Sequence, residues 1–392
     1  MRNIIKKITY SKNPIIVSLI QGPIVNFIFF LRKIKLTKLS RFDNRCIKSN
    51  EKLVSAFKEA LYQFSYVRSG DAGIFINAYL NKFVVSIKIA QVYLGKNEPI
   101  LLCVVKNDLE KVKLQIEYHR KIGVRHFAYI DNLSQDGTFE WLKEQSDVSL
   151  FSVSEKFHIT VKDAWKKQVT DLLGYDKWYL ILDSDELFIY PGIEEKNINK
   201  YIDFLEYKKI KSTFSPMIDM YSDKKLFGRD VSPGGIMEEY CFFDTDSYVK
   251  IKNGARYNVR GGPRARLFST KSNPFYCGLG KYALTKVRED MIIFAHFNLP
   301  YKYNFGTKGA IAFLLHYKFL MQDSVKYMDH IKSGVMSSGG SSEYKVYMQL
   351  YEKNPELTFF YENAQKLNNS MDLMKINLID EEFFSDFLKN DI

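Results

Sequence analysis

Two acidic residues one position apart, Asp183 and Asp185, directly follow an apolar run of strand length at 179–182. A strand that is buried on both faces is continuously hydrophobic, so the acids come where this strand leaves the core. On an extended chain, side chains two positions apart point to the same side. Two carboxylates placed in this way suit a hard divalent cation, which can in turn hold a diphosphate. Because an Asp-x-Asp pair alone is more often a solvated acidic turn, the surrounding elements have to decide between the two interpretations.

The apolar pattern around this pair alternates between strands and helices. Strands are predicted over 100–105, 127–130, 148–153, 178–182 and 213–220, and helices over 109–122, 139–144, 162–173 and 311–321. The alternation up to 182, with its short connections, predicts an α/β fold with a mostly parallel, Rossmann-like central sheet. Polar residues follow three of these strands, at 106–108, 131–136 and 183–186. They are expected along the carboxyl edge of the sheet, which is where open α/β sheets bind ligands.

Composition narrows the classes of partner. The chain has 392 residues, of which 46% are hydrophobic, and this share supports a full core and argues against a disordered chain. The formal net charge of +12 favours nucleic acid, an anionic membrane or phosphorylated ligands. Without an Arg-rich run or zinc-finger spacing, no nucleic-acid partner is expected. The four cysteines are scattered and form no C-x-x-C pair, which indicates reduced thiols in a cytoplasmic compartment.

Residues 14–31 carry no charge and have basic residues on both sides. A membrane span needs about 20 apolar residues, and Gly22 and Pro23 interrupt this run in its middle. The pattern favours a helix in the interface of an anionic membrane, which would make the protein peripheral to the inner face of the cell membrane. An apolar arm packed on its own domain fits equally well. We assign 1–95 to an N-terminal extension, 96–350 to a catalytic domain and 351–392 to a C-terminal helical tail.

Several motifs in a fixed order resemble those of a known family. They are Val105-Lys-Asn-Asp108 with Gln115-Ile-Glu-Tyr-His119, Tyr129-Ile-Asp-Asn-Leu-Ser-Gln-Asp-Gly-Thr138, Leu182-Asp-Ser-Asp-Glu-Leu187, Gly261-Gly-Pro-Arg264, Leu284-Thr-Lys-Val287, His296, Leu314-Leu-His-Tyr-Lys318 and Ser342-Glu-Tyr344. Across about residues 100 to 350 the chain resembles bacterial family-2-like glycosyltransferases, which have the nucleotide-diphospho-sugar transferase (A-type) fold. It departs from the family at Asp108, where Glu is usual, and at Ser184, where Val is more common.

The resemblance implies an inverting transfer of a sugar from a nucleotide diphosphate sugar, such as a UDP-sugar, to a surface polysaccharide or lipid-linked glycan. The cofactor that it implies is Mn²⁺ or Mg²⁺. The implied metal ligands are Asp183, Asp185 and His296; the nucleotide-sugar contacts are Val105, Lys106, Asn107, Asp131, Asp136, Ser184, Arg264, Arg266 and Lys286; and the contacts to acceptor or sugar are Glu186 and His316. Each residue has a structural alternative: the aspartates as turn and helix caps, the histidines as core residues, and the basic residues as solvated surface.

An inverting transfer also needs a carboxylate that takes the proton of the acceptor hydroxyl. Asp219 ends the strand predicted after the metal motif, and Glu343 begins a late helix behind the Gly/Ser-rich loop at 333–342. We rank Asp219 before Glu343. Either residue could instead be a helix cap or a surface acid.

Two other functions compete with this one. A nucleotidyltransferase uses the same sheet and carboxylates, but it normally has a glycine-rich phosphate loop after the first strand. The corresponding segment here, 106–108, contains no glycine. A non-catalytic, membrane-docked binding protein would account for the basic N-terminus, but it would leave the acids at the strand ends without a role.

Overall fold

The structure is a computed structural model that describes residues 69–226, 235–253, 256–269, 278–294, 296–304, 307–320, 323, 327–328, 331 and 340–390. The uncharged run at 14–31 lies outside these ranges, as do Cys46 and Cys277, so the membrane arm stays a prediction. Cys103 and Cys241 are buried free thiols. Within the described ranges, no helix combines the length and apolarity needed to cross a membrane.

Strands and helices alternate from β2 to β5, and short strands dominate the second half. In chain order the elements are α1 (Ser69–Asn81), β1 (Val85–Lys88), β2 (Ile100–Val105), α2 (Leu109–Lys121), β3 (His126–Asp131), α3 (Thr138–Glu144), β4 (Val148–Ser152), α4 (Ile159–Leu173), β5 (Lys177–Leu182), β6 (Glu186–Ile189), α5 (Ile198–Tyr207), β7 (Met217–Asp219), α6 (Gly235–Glu239), β8 (Phe242–Phe243), β9 (Tyr248–Asn253), β10 (Arg256–Gly261), α7 (Gly262–Phe268), β11 (Leu284–Val287), β12 (Ile292–Ile293), β13 (Asn298–Leu299), β14 (Phe313–His316), α8 (Gly340–Lys353), β15 (Gln365–Lys366) and α9 (Glu381–Lys389). The described residues also include the 3₁₀ helices Tyr301–Asn304 and Ser370–Lys375.

The central sheet has six strands in the order β1-β4-β3-β2-β5-β11. The four inner strands are parallel to one another, while β1 and β11 are antiparallel edge strands. This confirms the predicted α/β class with a mostly parallel sheet. Because the four parallel strands end at the same edge, the segments after β2, β3 and β5 lie together there.

Both faces of this sheet are buried, which explains why its strands are continuously apolar. In β2, Leu101 and Cys103 pack in the larger hydrophobic core, whereas Ile100 and Leu102 pack in a smaller core on the opposite face. The smaller core also contains Trp165 of α4. The alternation of side chains along a strand therefore sends every residue of β2 into one core or the other.

A second sheet of three strands, in the order β6-β14-β7, adjoins the end of β5. β14 pairs antiparallel with β6 and parallel with β7, so that His316 lies opposite Glu186 on one side and Asp219 on the other. The predicted helix over 311–321 is therefore wrong, because Phe313 to His316 form a strand. A short apolar run does not distinguish a buried helix from a buried strand, and here pairing on both sides decides for the strand.

The two ends of the described chain are joined to this body. β1 extends the central sheet by pairing with β4, so the sheet begins inside the segment assigned to the N-terminal extension. At the other end, β15 pairs with β8, and Leu373, Ile376, Phe384 and Phe387 lie in the larger hydrophobic core. The tail after 351 thus shares its core with the central sheet.

We expect the C-terminal tail to unfold together with the sheet. Phe387 is 1% exposed, and its ring lies 5.3 Å from that of Tyr201 and 5.2 Å from that of Phe204. Phe387→Ala should lower the free energy of unfolding by about 3–5 kcal/mol. Phe360→Ala, at a tail residue that is 41% exposed, serves as the control. Urea unfolding followed by circular dichroism measures both, and equal, small effects would show that the tail does not share the core.

Candidate active site

The acidic turn, residues 183–186, connects the last parallel strand of the central sheet to the second sheet. β5 ends at Leu182 and β6 begins at Glu186. The backbone N–H of Glu186 donates to the carbonyl oxygen of Asp183 at 3.2 Å, and the backbone N–H of Asp183 donates to Oε2 of Glu186 at 3.0 Å. The segment is thus a closed turn, and the extended geometry of β5 stops at its first residue.

Gln115 of α2 holds this turn through its side-chain amide. Its Nε2 donates to the carbonyl oxygens of Asp183 at 2.7 Å and of Glu186 at 2.9 Å. Its Oε1 accepts from the hydroxyl of Tyr129 at 2.6 Å. Gln115 is fully buried, so these partners satisfy polar groups that solvent does not reach.

His119, one turn further along α2, binds the start of β6. Its Nδ1 lies 2.6 Å from the carbonyl oxygen of Gln115, and its Nε2 lies 3.2 Å from the backbone nitrogen of Phe188. Because a carbonyl only accepts and a backbone N–H only donates, the ring is neutral with its proton on Nδ1. Burial lowers the pKa of His119 to about 3. The Gln-x-x-Tyr-His motif of α2 therefore has a structural role, which Tyr118 completes by donating to the carbonyl of Phe188.

His316 joins two carboxylates beneath the turn. Its Nδ1 lies 2.7 Å from Oδ1 of Asp219, and its Nε2 lies 3.4 Å from Oδ2 of Asp185. Burial opposes a charge on the ring, but Asp185 and Asp219 outweigh it and raise the pKa of His316. Asp219 also accepts from Nε of Arg264 at 2.7 Å. Although burial opposes ionisation, Arg264 and His316 lower the pKa of Asp219 to about 2.

Two buried lysines pair with the first residue of the turn. Nζ of Lys162 lies 2.9 Å from Oδ1 of Asp183, and Nζ of Lys281 lies 2.8 Å from Oδ2. Lys281 also contacts Oε1 of Glu186 at 2.5 Å. Burial alone would raise the pKa of Asp183, but the two ammonium groups hold that pKa well below its usual range. The Asp183 side chain is 39% exposed and that of Asp185 24%, so these two acids face the solvent side of the cluster.

A divalent cation fits three residues of this cluster. In the part of the chain that the structure describes, Asp185, Glu186 and His316 each offer one ligand atom, and these atoms lie within 4.8 Å of one another. Carboxylate oxygens and an imidazole nitrogen suit Mn²⁺. A metal-binding histidine typically donates its other ring N–H to a carboxylate, as Nδ1 of His316 does to Asp219. We therefore regard this trio as the candidate metal site.

This trio differs from the predicted set of metal ligands, with which it shares Asp185 alone. The Asp183 carboxylate is occupied by Lys162 and Lys281. His296 has its Nδ1 3.0 Å from the carbonyl oxygen of Gly280 and is not part of the converging group. The other two members of the trio are Glu186 and His316, which were predicted to contact acceptor or sugar.

The nucleotide side of the site lies at the ends of β2 and β3. Val105 and Asp131 are paired at these ends, and the exposed Lys106 and Asn107 follow. Asp131 is 1% exposed; its Oδ2 accepts from the backbone N–H of Ser134 at 3.0 Å, whereas its Oδ1 has no hydrogen-bond partner among the described residues. Burial raises the pKa of Asp131. Oδ1 of Asp131 is thus a buried acceptor, unpaired within the described ranges, at the carboxyl end of β3.

Asp136 has the turn-capping role that was its structural alternative. Its Oδ1 accepts from the backbone N–H of Thr138 at 3.0 Å, and its Oδ2 accepts from that of Leu109, the first residue of α2, at 3.1 Å. Both oxygens are thus used within the protein, and the predicted nucleotide contact by Asp136 is corrected to a cap. Ser184, also predicted to contact the nucleotide, donates its hydroxyl to the Asp108 carboxylate.

The three predicted diphosphate-binding residues have other partners. Arg264 is buried against Asp219, and Arg266 donates to the Phe359 carbonyl at 2.7 Å with its guanidinium over the Tyr361 ring. Lys286 pairs with Glu206 at 2.7 Å and lies opposite Trp178, near the amino end of β5. Arg264 is linked to the acidic turn only through Asp219 and His316, so contacts of these three residues with a diphosphate stay a prediction. Lys162 and Lys281 contact the acidic turn directly.

Of the two candidate bases, the structure describes the side chain of Asp219 only. Asp219 is 1% exposed, and both of its oxygens accept hydrogen bonds, one from His316 and one from Arg264. Asp219 is therefore corrected from general base to the residue that orients His316. Glu343 lies in α8, and its side chain is outside the described part of the structure, so it stays a prediction.

Comparison with known proteins assigns the chain to no family. No protein-family model matches the chain, and no curated protein sequence matches it. Among solved structures it is similar to the mannosyltransferase PcManGT from Pyrobaculum calidifontis in complex with GDP-Man and Mn²⁺, with 12% identity and a TM-score of 0.23. The match covers 44% of the present chain and 48% of the mannosyltransferase, so the chain spans about half the length of that protein. This similarity is too low to transfer an activity or a ligand.

We expect His119 to make the protein less stable as the pH falls. The native ring stays neutral down to about pH 3, while the unfolded chain takes up the proton near pH 6.5. Between these values the unfolded state binds more protons, so the stability that is present above pH 6.5 is lost by up to about 1.4 kcal/mol per pH unit. His119→Gln should flatten this slope in urea unfolding measured from neutral pH downward. Parallel slopes for the two proteins would contradict the assignment.

Proposed function

We propose that the protein is a metal-dependent glycosyltransferase that moves a sugar from a nucleotide diphosphate sugar to a glycan or lipid-linked acceptor, with inversion. The observation that supports this most directly is the candidate metal site at the carboxyl edge of the central sheet. A buried carboxylate, Asp219, fixes the ring proton of His316 on Nδ1 and leaves Nε2 directed at Asp185. This arrangement goes beyond what a solvated acidic turn requires.

The positions of the strand ends agree with a bound nucleotide diphosphate. β2 lies between β3 and β5, so the unpaired Oδ1 of Asp131 and the acidic turn are two strand spacings apart, roughly 10 Å. We assign the Asp131 side to the nucleoside and the turn to the diphosphate. The buried Asp131 carboxylate offers an acceptor to a hydroxyl or N–H group of the nucleoside, and it excludes a second anion there.

In this proposal each group of the cluster has one task. A divalent cation, when bound at Asp185, Glu186 and His316, would neutralise charge that grows on the leaving diphosphate. Asp219 keeps His316 in the tautomer that a ligand needs, and Arg264 keeps Asp219 ionised. The proton of the acceptor hydroxyl would pass to a carboxylate on the opposite side of the sugar, for which Glu343 stays the candidate.

We expect Asp185→Asn to abolish metal-dependent transfer while the melting temperature stays within a few degrees of the wild type. The residue is partly exposed, and its loss removes a charged ligand without leaving a cavity. Asp219→Asn should weaken Mn²⁺ binding by about 10–100-fold, as the loss of a histidine's orienting carboxylate does. The assay is release of nucleoside diphosphate from a panel of nucleotide sugars, with and without Mn²⁺.

Asp147→Asn is the control for these two variants. Asp147 pairs with Arg120 at 2.7 Å just before β4, at the amino edge of the sheet. Its replacement removes a carboxylate from an ion pair far from the site and should change neither Mn²⁺ binding nor turnover. If Asp185→Asn keeps full Mn²⁺-dependent turnover, the metal site is not where we place it.

We further propose that the protein works at the cytoplasmic face of a membrane, through residues 14–31. A lipid-linked acceptor would explain why a catalytic domain carries an uncharged segment with basic flanks. Basic residues contribute about 1 kcal/mol each on anionic lipid, so binding should weaken in salt. Vesicle flotation of the full chain against a version without residues 1–40, at low and high salt, tests this. Equal partitioning of the two forms would refute a role for the segment.

A further inference from the structure

The protein's own cations already compensate most of the negative charge of the candidate metal site. Four carboxylates take part in its ion pairs, those of Asp183, Asp185, Glu186 and Asp219. They face three permanent cations, Lys162, Lys281 and Arg264. With a neutral His316, which a metal ligand must be, one negative charge is left uncompensated. A divalent cation would therefore enter a cluster that attracts it only weakly.

Lys281 occupies an oxygen that the metal would need. It contacts Oε1 of Glu186, while Oε2 of Glu186 accepts from the backbone N–H of Asp183. A metal at Oε1 of Glu186 would share that oxygen with the ammonium group of Lys281. Since two cations at one carboxylate repel each other, binding of a metal and contact of Lys281 with Glu186 oppose each other.

A diphosphate is the ligand that can draw the lysines away. Ammonium groups bind phosphate oxygens well, and a lysine has three donors on a flexible stem, so it can change partners without moving the backbone. Lys162 lies in the first turn of α4, a helix that begins at the carboxyl edge. Both lysines contact Asp183, whose side chain is the most exposed of the four acids. A diphosphate that approaches from solvent meets the two ammonium groups there.

We propose that Lys162 and Lys281 exchange partners, from Asp183 and Glu186 in the free protein to the diphosphate of the donor in the complex. This rests on the proposed function and adds to it a coupling between ligands. The diphosphate frees the carboxylate oxygens for the metal, and the metal offsets the negative charge that the diphosphate brings. Metal and nucleotide therefore bind cooperatively, and each binds weakly alone.

The exchange predicts opposite effects of one substitution on two ligands. Lys281→Met removes the competitor at Glu186, so Mn²⁺ alone should bind more tightly. The same variant loses a phosphate contact, so nucleoside diphosphate should bind more weakly and the coupling should shrink. Lys162→Met should act in the same directions through Asp183. A lysine with a purely structural role would instead weaken both ligands together with the fold.

The experiment measures Mn²⁺ binding by electron paramagnetic resonance, alone and with UDP or GDP, after correction for the Mn²⁺–nucleotide complex in solution. One of the two nucleotides should bind to the wild type and lower the dissociation constant of Mn²⁺ by roughly 5–150-fold, the usual range for coupled sites. In Lys162→Met and Lys281→Met the factor should fall towards unity, while Lys281→Arg, which keeps the charge, should retain part of it. Melting temperatures are recorded for every variant.

Lys167→Met is the matched control. Lys167 lies in the same helix as Lys162, is 3% exposed and pairs with Asp171 at 2.9 Å. Its loss should lower the melting temperature without changing the coupling. If the two methionine variants at the site do not fold, the coupling between Mn²⁺ and nucleotide measured in Lys162→Gln and in the wild type still tests the exchange.

Three outcomes separate the two proposals. Independent binding of Mn²⁺ and nucleotide to the wild type would overturn the exchange and leave the proposed function standing. Weaker Mn²⁺ binding in Lys281→Met would also overturn the exchange, because it would show that Lys281 does not compete with the metal for Glu186. Failure of the wild type to bind Mn²⁺ with either nucleotide, together with no release from the panel of nucleotide sugars, would instead refute the proposed function.

Discussion

The conformation of the acidic turn depends on one buried side chain, that of Gln115. The turn connects strands of two different sheets, so the carbonyl groups of Asp183 and Glu186 have no ladder partner at this point. Without Gln115 the Asp183 carbonyl would keep only the 3.2 Å bond from the backbone N–H of Glu186, and a buried carbonyl left without a donor costs about 1–3 kcal/mol. The amide nitrogen of Gln115 carries two hydrogens and satisfies both carbonyls at once. Tyr129 holds the amide oxygen, so α2 and β3 together fix the shape of the turn.

The second constraint is the insertion of β14 between β6 and β7. Directly opposite residues on neighbouring strands are about 5 Å apart, so this pairing places His316 beside both Glu186 and Asp219. The ion pairs follow from the register: Asp219 on one side orients the ring, and the turn on the other side presents Asp185. A shift of β14 by one residue would turn His316 to the opposite face and dismantle the cluster. The buried side chains of Phe313 to Leu315 resist such a shift, because they would have to leave the core.

The sequence predicts the central sheet well, because its parallel strands are apolar throughout and alternate with helices of ordinary length. It does not predict which acids converge with His316, for a geometric reason. The Asp-x-Asp argument assumes an extended chain, but the hydrogen bond from Glu186 to the Asp183 carbonyl closes a turn. Asp183 therefore faces Lys162 and Lys281, and Asp185 faces His316.

Distant pairing sets what the sequence did not predict, namely the surroundings of His316 and the presence of Lys162 and Lys281 beside the turn. His316 was assigned to a helix, and only the pairing of β14 brings it to the turn. Lys281 belongs to the segment before β11, where the carbonyl of Ala283 accepts from the backbone N–H of Ile181 in β5. Lys162 is one of 57 lysines and arginines, and nothing in its neighbours marks it. Its position in the first turn of a helix that follows a parallel strand was the one available signal, since such helices begin at the carboxyl edge.

The cluster uses arginine for the ion pair that stays fixed and lysine for the ion pairs that we propose to exchange. Carboxylates packed together below the surface need cations, because desolvation and mutual repulsion would otherwise protonate them. Asp219 has a constant task, and Arg264, whose planar guanidinium is suited to a fixed pair, is buried against it. In the proposed exchange, Asp183 and Glu186 serve the free protein and a ligand complex in turn, and they pair with lysines, whose single charge sits on a flexible stem. The cations that let the acidic turn fold without a metal are thus the ones that a metal has to displace, so the free protein trades affinity for the metal against its own stability.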